Sequence, residues 1–191
     1  YSGPECLDLP EQHYVTRRLP FPEANKVFYD KVVQEIVNAK KDITLMKNSF
    51  LRMRQICSGF IGLDDGGTKI KVELPENPKL EALEELIDEM PKNAKMVIFH
   101  EYIYSGIKIT NFLNSKKLKH EHLWGGNSDP IRSVNNFTKN KSCRFLVNNS
   151  KSGAAGLNLQ VANYVVFYES PVSSIVRAQA EKRCHRAGQK S

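Results

Sequence analysis

From Lys79 onward, short apolar runs alternate with amphipathic stretches, and this alternation constrains the fold more than any other feature. Met96–Phe99, His120–Trp124, Phe145–Val147 and Tyr164–Tyr168 read as strands. Lys79–Met90, Ile103–Leu113, Asp129–Phe137 and Pro171–Ala187 read as helices. Several β-α units in about 115 residues predict an α/β fold, with a mostly parallel sheet covered by helices on both faces. In such sheets ligands gather at the loops following the strands, so those loops are the places to look for chemistry.

The N-terminal third reads differently. Pro4, Pro10, Pro20 and Pro22 forbid a long helix at the start. No Pro or Gly interrupts Glu23–Asn48, where Val27, Phe28, Val32, Val33, Ile36 and Val37 recur at helical spacing. A second short helix is expected over Ser49–Cys57, ended by Gly59. Asp64-Asp65-Gly66-Gly67 then supplies turn residues before Lys69–Leu74, a strand pattern, so a small hairpin follows.

With 191 residues, the chain is long enough for a substantial core without staples. No apolar run approaches the roughly 20 residues of a membrane helix. Cys6, Cys57, Cys143 and Cys184 form no C-x-x-C pair, which argues against a disulfide framework or zinc site and for a reducing, intracellular setting, cytoplasm or nucleus. The chain opens on Tyr1 with no visible leader and reads as an internal piece of a longer protein. Net charge is +7, and its distribution is uneven. Glu76–Met90 holds six acids against Lys79, whereas Pro171–Ser191 holds five basic residues against Glu181. Ile107–His120 adds Lys108, Lys116, Lys117 and Lys119 with no acid. A polyanionic partner is compatible with such clustering.

Two constellations carry chemistry. On a helix begun by Ser170 as N-cap and Pro171, Gln179, Arg183 and Arg186 fall within an arc of about 60°. Val176, Ala180, Cys184 and Ala187 form the apolar stripe beside them. Two guanidiniums projecting together suit phosphate oxygens, and a plain solvated basic face is an equal reading from geometry alone. The second constellation is FLVNNSKSGAAGLNL, Phe145–Leu159, a strand running into Ser150, Lys151 and small residues that admit close backbone approach. It is not a phosphate loop, since G-x-x-x-x-G-K-S/T occurs nowhere in the chain.

Taken together, SKSGAAGLNLQVANYVVFYE and QAEKRCHRAGQ resemble motifs V and VI of the Swi/Snf-type DNA translocases in helicase superfamily two. The second matches the pattern Gln-Ala-x-x-Arg-x-His-Arg-x-Gly-Gln at every fixed position. FLRMRQICSG, KMVIFHEY and DPIRSVNNF are similar to the family's Leu-Arg-x-x-Cys segment, motif IV and its following helix, so the likeness runs over roughly Leu19–Gln189. It implies a RecA-like lobe two over residues 76–191, ending soon after motif VI, preceded over residues 1–75 by a helical protrusion and hairpin. It implies that Arg183 and Arg186 are the catalytic arginine fingers, that Gln179, Gly156 and Asn158 face the nucleotide, and that Ser150 and Lys151 touch a DNA phosphate. ATP and Mg²⁺ would be held mainly by the first RecA-like lobe of the same parent chain, which with duplex DNA makes up the expected partners; no membrane partner is expected. Ala154 and Ser152 depart from the family pattern, as do Glu169 for an aspartate and Ser170-Pro171 for Trp-Asn-Pro. A non-catalytic docking module and an RNA-directed helicase of the same superfamily are the alternatives.

Other residues read more plainly. His100 is expected as a hydrogen-bonded strand-end histidine rather than a cleft residue, His120 and His122 as an exposed strand edge rather than a metal pair, and Trp124 as packing. Asp64 and Asp65 are turn residues, and Cys184 an inert thiol.

Overall fold

The computed structural model describes residues 11–38, 42–65, 68–126, 129–150 and 158–185. Two compact units emerge, Val15–Glu89 and Met90–Ser191, the latter joined by Tyr1–Tyr14.

Within Val15–Glu89, α1 (Glu23–Asn38) and α2 (Ile43–Ile56) pack beside a hairpin of β1 (Phe60–Asp65) and β2 (Thr68–Glu73), with Phe60 opposite Glu73. The core is Val32, Ile56, Ile61 and Leu74. A single helix over Glu23–Asn48 is not what forms. The Asp42 carboxylate accepts from the Leu45 N–H at 3.0 Å and starts a new helix at Ile43, six residues before the expected second helix. Gly59 has φ +78°, and a Cβ there would lie 2.8 Å from Asn77, so the chain can leave α2 only through glycine. α3 (Pro78–Glu89) belongs to this unit, and Arg17 pairs with Glu85 and Glu89 on its surface.

The other unit is a four-stranded, all-parallel sheet, order β4-β5-β3-β6, built from β3 (Met96–His100), β4 (His120–Leu123), β5 (Phe145–Asn149) and β6 (Tyr164–Phe167). β3 and β5 lie in the middle and are buried almost throughout, which is why they read as continuous apolar runs. α4 (Ile103–Ser115), α5 (Pro130–Lys139) and α6 (Ser174–Cys184) complete the β-α units. Phe137 of α5 and Ala180 and Cys184 of α6 share a core with Val97, Phe99 and Leu146. Gly106 of α4 meets His100 and His122, whose side chains alternate onto the opposite face. The expected α/β architecture, a RecA-like parallel sheet with helices on both faces, is the one observed.

α6 begins at Ser174, not Pro171. The hydroxyl of Ser173, not Ser170, caps it by accepting from the Val176 N–H, while Ser170 Oγ is occupied by the Arg177 guanidinium at 3.0 Å.

Candidate functional site

A helix that follows a strand in a β-α unit runs back along it, and the 11 residues of α6 retrace about 16 Å. Its arginine end therefore lies toward the amino end of β6. Leu159, just upstream of β6, donates its N–H to the Arg183 carbonyl at 2.9 Å, and Asn163 and Tyr164 then join the Lys95 carbonyl at the start of β3. Ser150 sits at the other end of the sheet, immediately after β5. Ser150 and Arg183 therefore lie at opposite ends of the sheet.

Arg183 and Gln179, one turn apart, share a face of α6; Gln179 is exposed and Arg183 half-buried. Among the described residues, the buried Arg183 Nη1 has no hydrogen-bond partner. Arg177 on the same helix is the opposite case. Its guanidinium carbon lies 3.5 Å from the centre of the Phe167 ring, and its nitrogens donate to Glu181 at 2.5 Å and to Ser170. With Arg177 engaged by Glu181 and Ser170, it is the Arg183 Nη1 that keeps capacity for an anion. Its chemistry suits phosphate oxygens and not a metal ion. The helix ends at Cys184 with His185 as C-cap.

Asn158 is exposed, and its carboxamide oxygen accepts from the Gln160 N–H at 3.1 Å, a local turn that sets the approach of Leu159 to Arg183. Ser150 is 5% exposed. Both its N–H and its hydroxyl donate to the His100 carbonyl, at 2.9 and 3.3 Å. Lys151, Gly156 and Arg186 lie outside the described residues.

Around Ser150 the strand ends are tied together by a carboxylate. Glu169, buried, accepts from the Glu101 N–H at 3.0 Å and from Ser105 Oγ at 2.6 Å. Asn149 Nδ2 donates to the Glu101 carbonyl. A carboxylate at the first turn of α4 meets both unpaired donors and the positive end of the helix dipole.

His100 is a hydrogen-bonded strand-end histidine, as expected, and is buried, but it does not stand alone. Its Nδ1 lies 3.0 Å from the Tyr102 carbonyl and its Nε2 lies 3.2 Å from His122 Nε2, across the intervening β5. A proton on Nδ1 leaves Nε2 as the acceptor, so His122 is the donor of the pair. Burial pushes both imidazoles down to about 4. His122 is therefore not an exposed edge residue, and among the described residues no group of three or more His, Cys, Asp and Glu is arranged for a metal. Trp124 stacks near His122 and is 41% exposed, not core packing. Burial pushes the Cys184 thiol up to about 12, which leaves it inert, as expected.

Comparison with known proteins extends these observations. The helicase conserved C-terminal domain family matches residues 78–188. The CHD3-type chromatin-remodeling factor CHR7 of Arabidopsis thaliana is 23% identical over 95% of this chain and 16% of its own length. The putative ATP-dependent helicase/translocase YwqA of Bacillus subtilis is 28% identical over 96% of this chain and 21% of its own. This chain thus spans about a fifth or less of these curated relatives. The Sulfolobus solfataricus SWI2/SNF2 ATPase C-terminal domain superposes with a TM-score of 0.56 over 76% of this chain and 66% of that one, at 23% identity. The core domain of the Sulfolobus ATPase gives 0.62 over 85% and 35%, at 20% identity, a likeness of fold.

Proposed function

The chain belongs to the helicase conserved C-terminal domain family, and we propose that it is the C-terminal, second motor lobe of an intracellular, ATP-dependent DNA translocase or helicase of the Swi/Snf type. Arg183 and Arg186 would stabilise negative charge on the transferring phosphate, with Gln179, Gly156 and Asn158 beside the nucleotide. ATP would be held between this lobe and the first RecA-like lobe of the parent, which would also supply the phosphate loop and the Mg²⁺ ligands. Hydrolysis to ADP and phosphate is the chemistry such a site provides. Lys151 and Ser150 would meet the DNA backbone, without reading sequence. By itself the chain, having no phosphate loop, would not turn over ATP.

The observation that carries this reading is the Arg183 guanidinium. A buried N–H without a partner costs about 1–3 kcal/mol, and Arg183 Nη1 has no partner among the described residues, whereas Arg177 donates to both Glu181 and Ser170. A phosphate arriving at the helix would satisfy it. An arginine finger contributes about 10³–10⁵ in rate, or roughly 4–7 kcal/mol of barrier.

The test is the ATPase rate of the parent protein, with and without duplex DNA, beside folded Arg183→Ala and Arg186→Ala variants. Duplex-stimulated turnover that falls at least a hundredfold in each is expected. Turnover untouched by both substitutions would overturn the arginine assignment. Stimulation by RNA and not by duplex DNA would transfer the protein to the RNA-directed branch, and DNA binding without any turnover would make it a docking module.

A further inference from the structure

The amino ends of β4 and β5 lie at the end of the sheet opposite Ser150, roughly 15 Å away along the strands. Two loops meet there. Lys116, Lys117 and Lys119 lie on the loop from α4 to β4, and Lys139 and Lys141 on the passage from α5 to β5. All five are exposed. The loops are joined by the Arg144 N–H on the Lys119 carbonyl and by Lys119 Nζ near Ser142 Oγ, at 3.4 Å. Between them is a cavity of about 450 Å³ lined by Lys117, Lys119, His120, Asn114, Asn136 and Asn140.

Lysines often collect at helix C-termini to balance the dipole, but here that task is already done. The last carbonyls of α4 are taken by the N–H groups of Lys116, Lys117 and Leu118. The end of α5 is closed by Lys95, whose buried ammonium donates to the carbonyls of Phe137, Asn140 and Cys143. Nor is there acidic compensation. From Ile107 to Arg144 the only acids are Glu121 and Asp129. Glu121 receives the Asn136 amide, and Asp129 caps the far end of α5. Lys117, Lys139 and Lys141 form no ion pair among the described residues. Lys117 moreover holds φ +56°, a conformation that glycine or asparagine adopts at lower cost at this position.

We infer that this lysine-lined edge is a second nucleic-acid surface, taking the phosphate backbone of a duplex segment separate from the one proposed at Ser150 and Lys151. Five ammonium groups on two adjoining loops, against the single Glu121 carboxylate that holds Asn136, match a run of phosphates by charge. Several flexible lysines suit backbone contact better than the bidentate capture of one anion.

The test measures binding of a fluorescent 20-base-pair duplex to the full chain across a salt series, with a Lys117→Glu/Lys119→Glu/Lys141→Glu variant, its Lys→Gln counterpart and Lys151→Ala. Charge reversal should weaken binding at least tenfold at low salt, and the Gln set less. The slope of log affinity against log salt should fall by about 2–3, near 0.9 per phosphate contact. Lys151→Ala should add to these losses, because it removes a separate contact. The Gln set keeps the test valid should charge reversal disturb folding, which the thermal midpoint reports. Affinity and slope unchanged in both triple sets would overturn the inference, whatever Lys151→Ala does. Polyglutamate competing as strongly as duplex, through the same lysines, would overturn it in favour of an acidic protein partner.

Discussion

The N–H of Leu159 donates to the carbonyl of Arg183 at 2.9 Å. This bond fastens one end of the 150–159 stretch to the arginine helix. The other end is fastened at Ser150, whose N–H and hydroxyl both hold the His100 carbonyl. A displacement at either anchor must be absorbed by the eight residues between them or passed to the other. Two anchors on one short stretch give a physical route by which a phosphate at Arg183 and a polyanion near Ser150 could influence one another.

Arg183→Ala should leave the fold as stable as before or more so. The substitution removes a buried Nη1 that has no partner among the described residues, and with it a desolvation cost. Arg177→Ala, by contrast, gives up the Phe167 ring, Glu181 and Ser170 together and should cost about 1 kcal/mol. Urea unfolding of the two variants side by side checks this, and a loss for Arg183→Ala equal to that for Arg177→Ala would contradict it. Stability kept while turnover falls is what a functional residue produces.

Lys95→Met should be among the most damaging single changes in the sheet unit. The ammonium is 7% exposed as a residue, and burial holds its pKa below the usual lysine range. It nevertheless serves three carbonyls at the end of α5. Methionine keeps the volume and strands all three acceptors, for a loss of about 3 kcal/mol or more. A denaturant midpoint within error of the wild type would exclude this role.

How much of this was legible in the sequence follows from what each signal reports. The four strands and the helices between them were, because β3 and β5 are buried on both faces and read as unbroken apolar runs. The cap of α5 by Asp129 was nearly legible too, since Asp-Pro at a helix start states its own chemistry. The start of α6 was not, because Ser170, Ser173 and Ser174 are alike in sequence and only the Arg177 guanidinium on Ser170 decides between them. The break before α2 was missed because Asp42 sits inside an apolar periodicity with no Pro or Gly to mark it. His100 and His122 meet across β5, a contact made by strand order and by no spacing along the chain. Lys95 was invisible for the same reason, its three acceptors lying 42 to 48 residues away.

Gly106→Ala should reverse the usual helix rule. In an exposed helix interior this change gains about 1 kcal/mol. In α4 a Cβ would lie 2.5 Å from His100 Cε1 and 2.8 Å from His122 Nε2. Both rings are held by hydrogen bonds and have little room to yield, so a net loss of about 2 kcal/mol is expected. Pairing Gly106→Ala with His122→Ala should recover part of it, a double-mutant coupling measurable by denaturation.

The histidine pair also sets a pH window. Both imidazoles are held near 4 in the folded protein against the ordinary 6.5, so the unfolded chain binds the extra protons between those values. Stability from the pair is therefore complete above about pH 6.5 and is lost as pH falls toward 4. For His100, which is fully buried, the loss by pH 4.5 is on the order of 2 kcal/mol. Protonation also destroys the pair itself, because a charged His100 would present a second donor to His122 across 3.2 Å. Urea midpoints at pH 7.0, 5.5 and 4.5 should fall steeply for the wild type. They should fall much less for a His100→Asn/His122→Asn variant, in which the pair's contribution is gone. Parallel curves for the two proteins would place the acid sensitivity elsewhere.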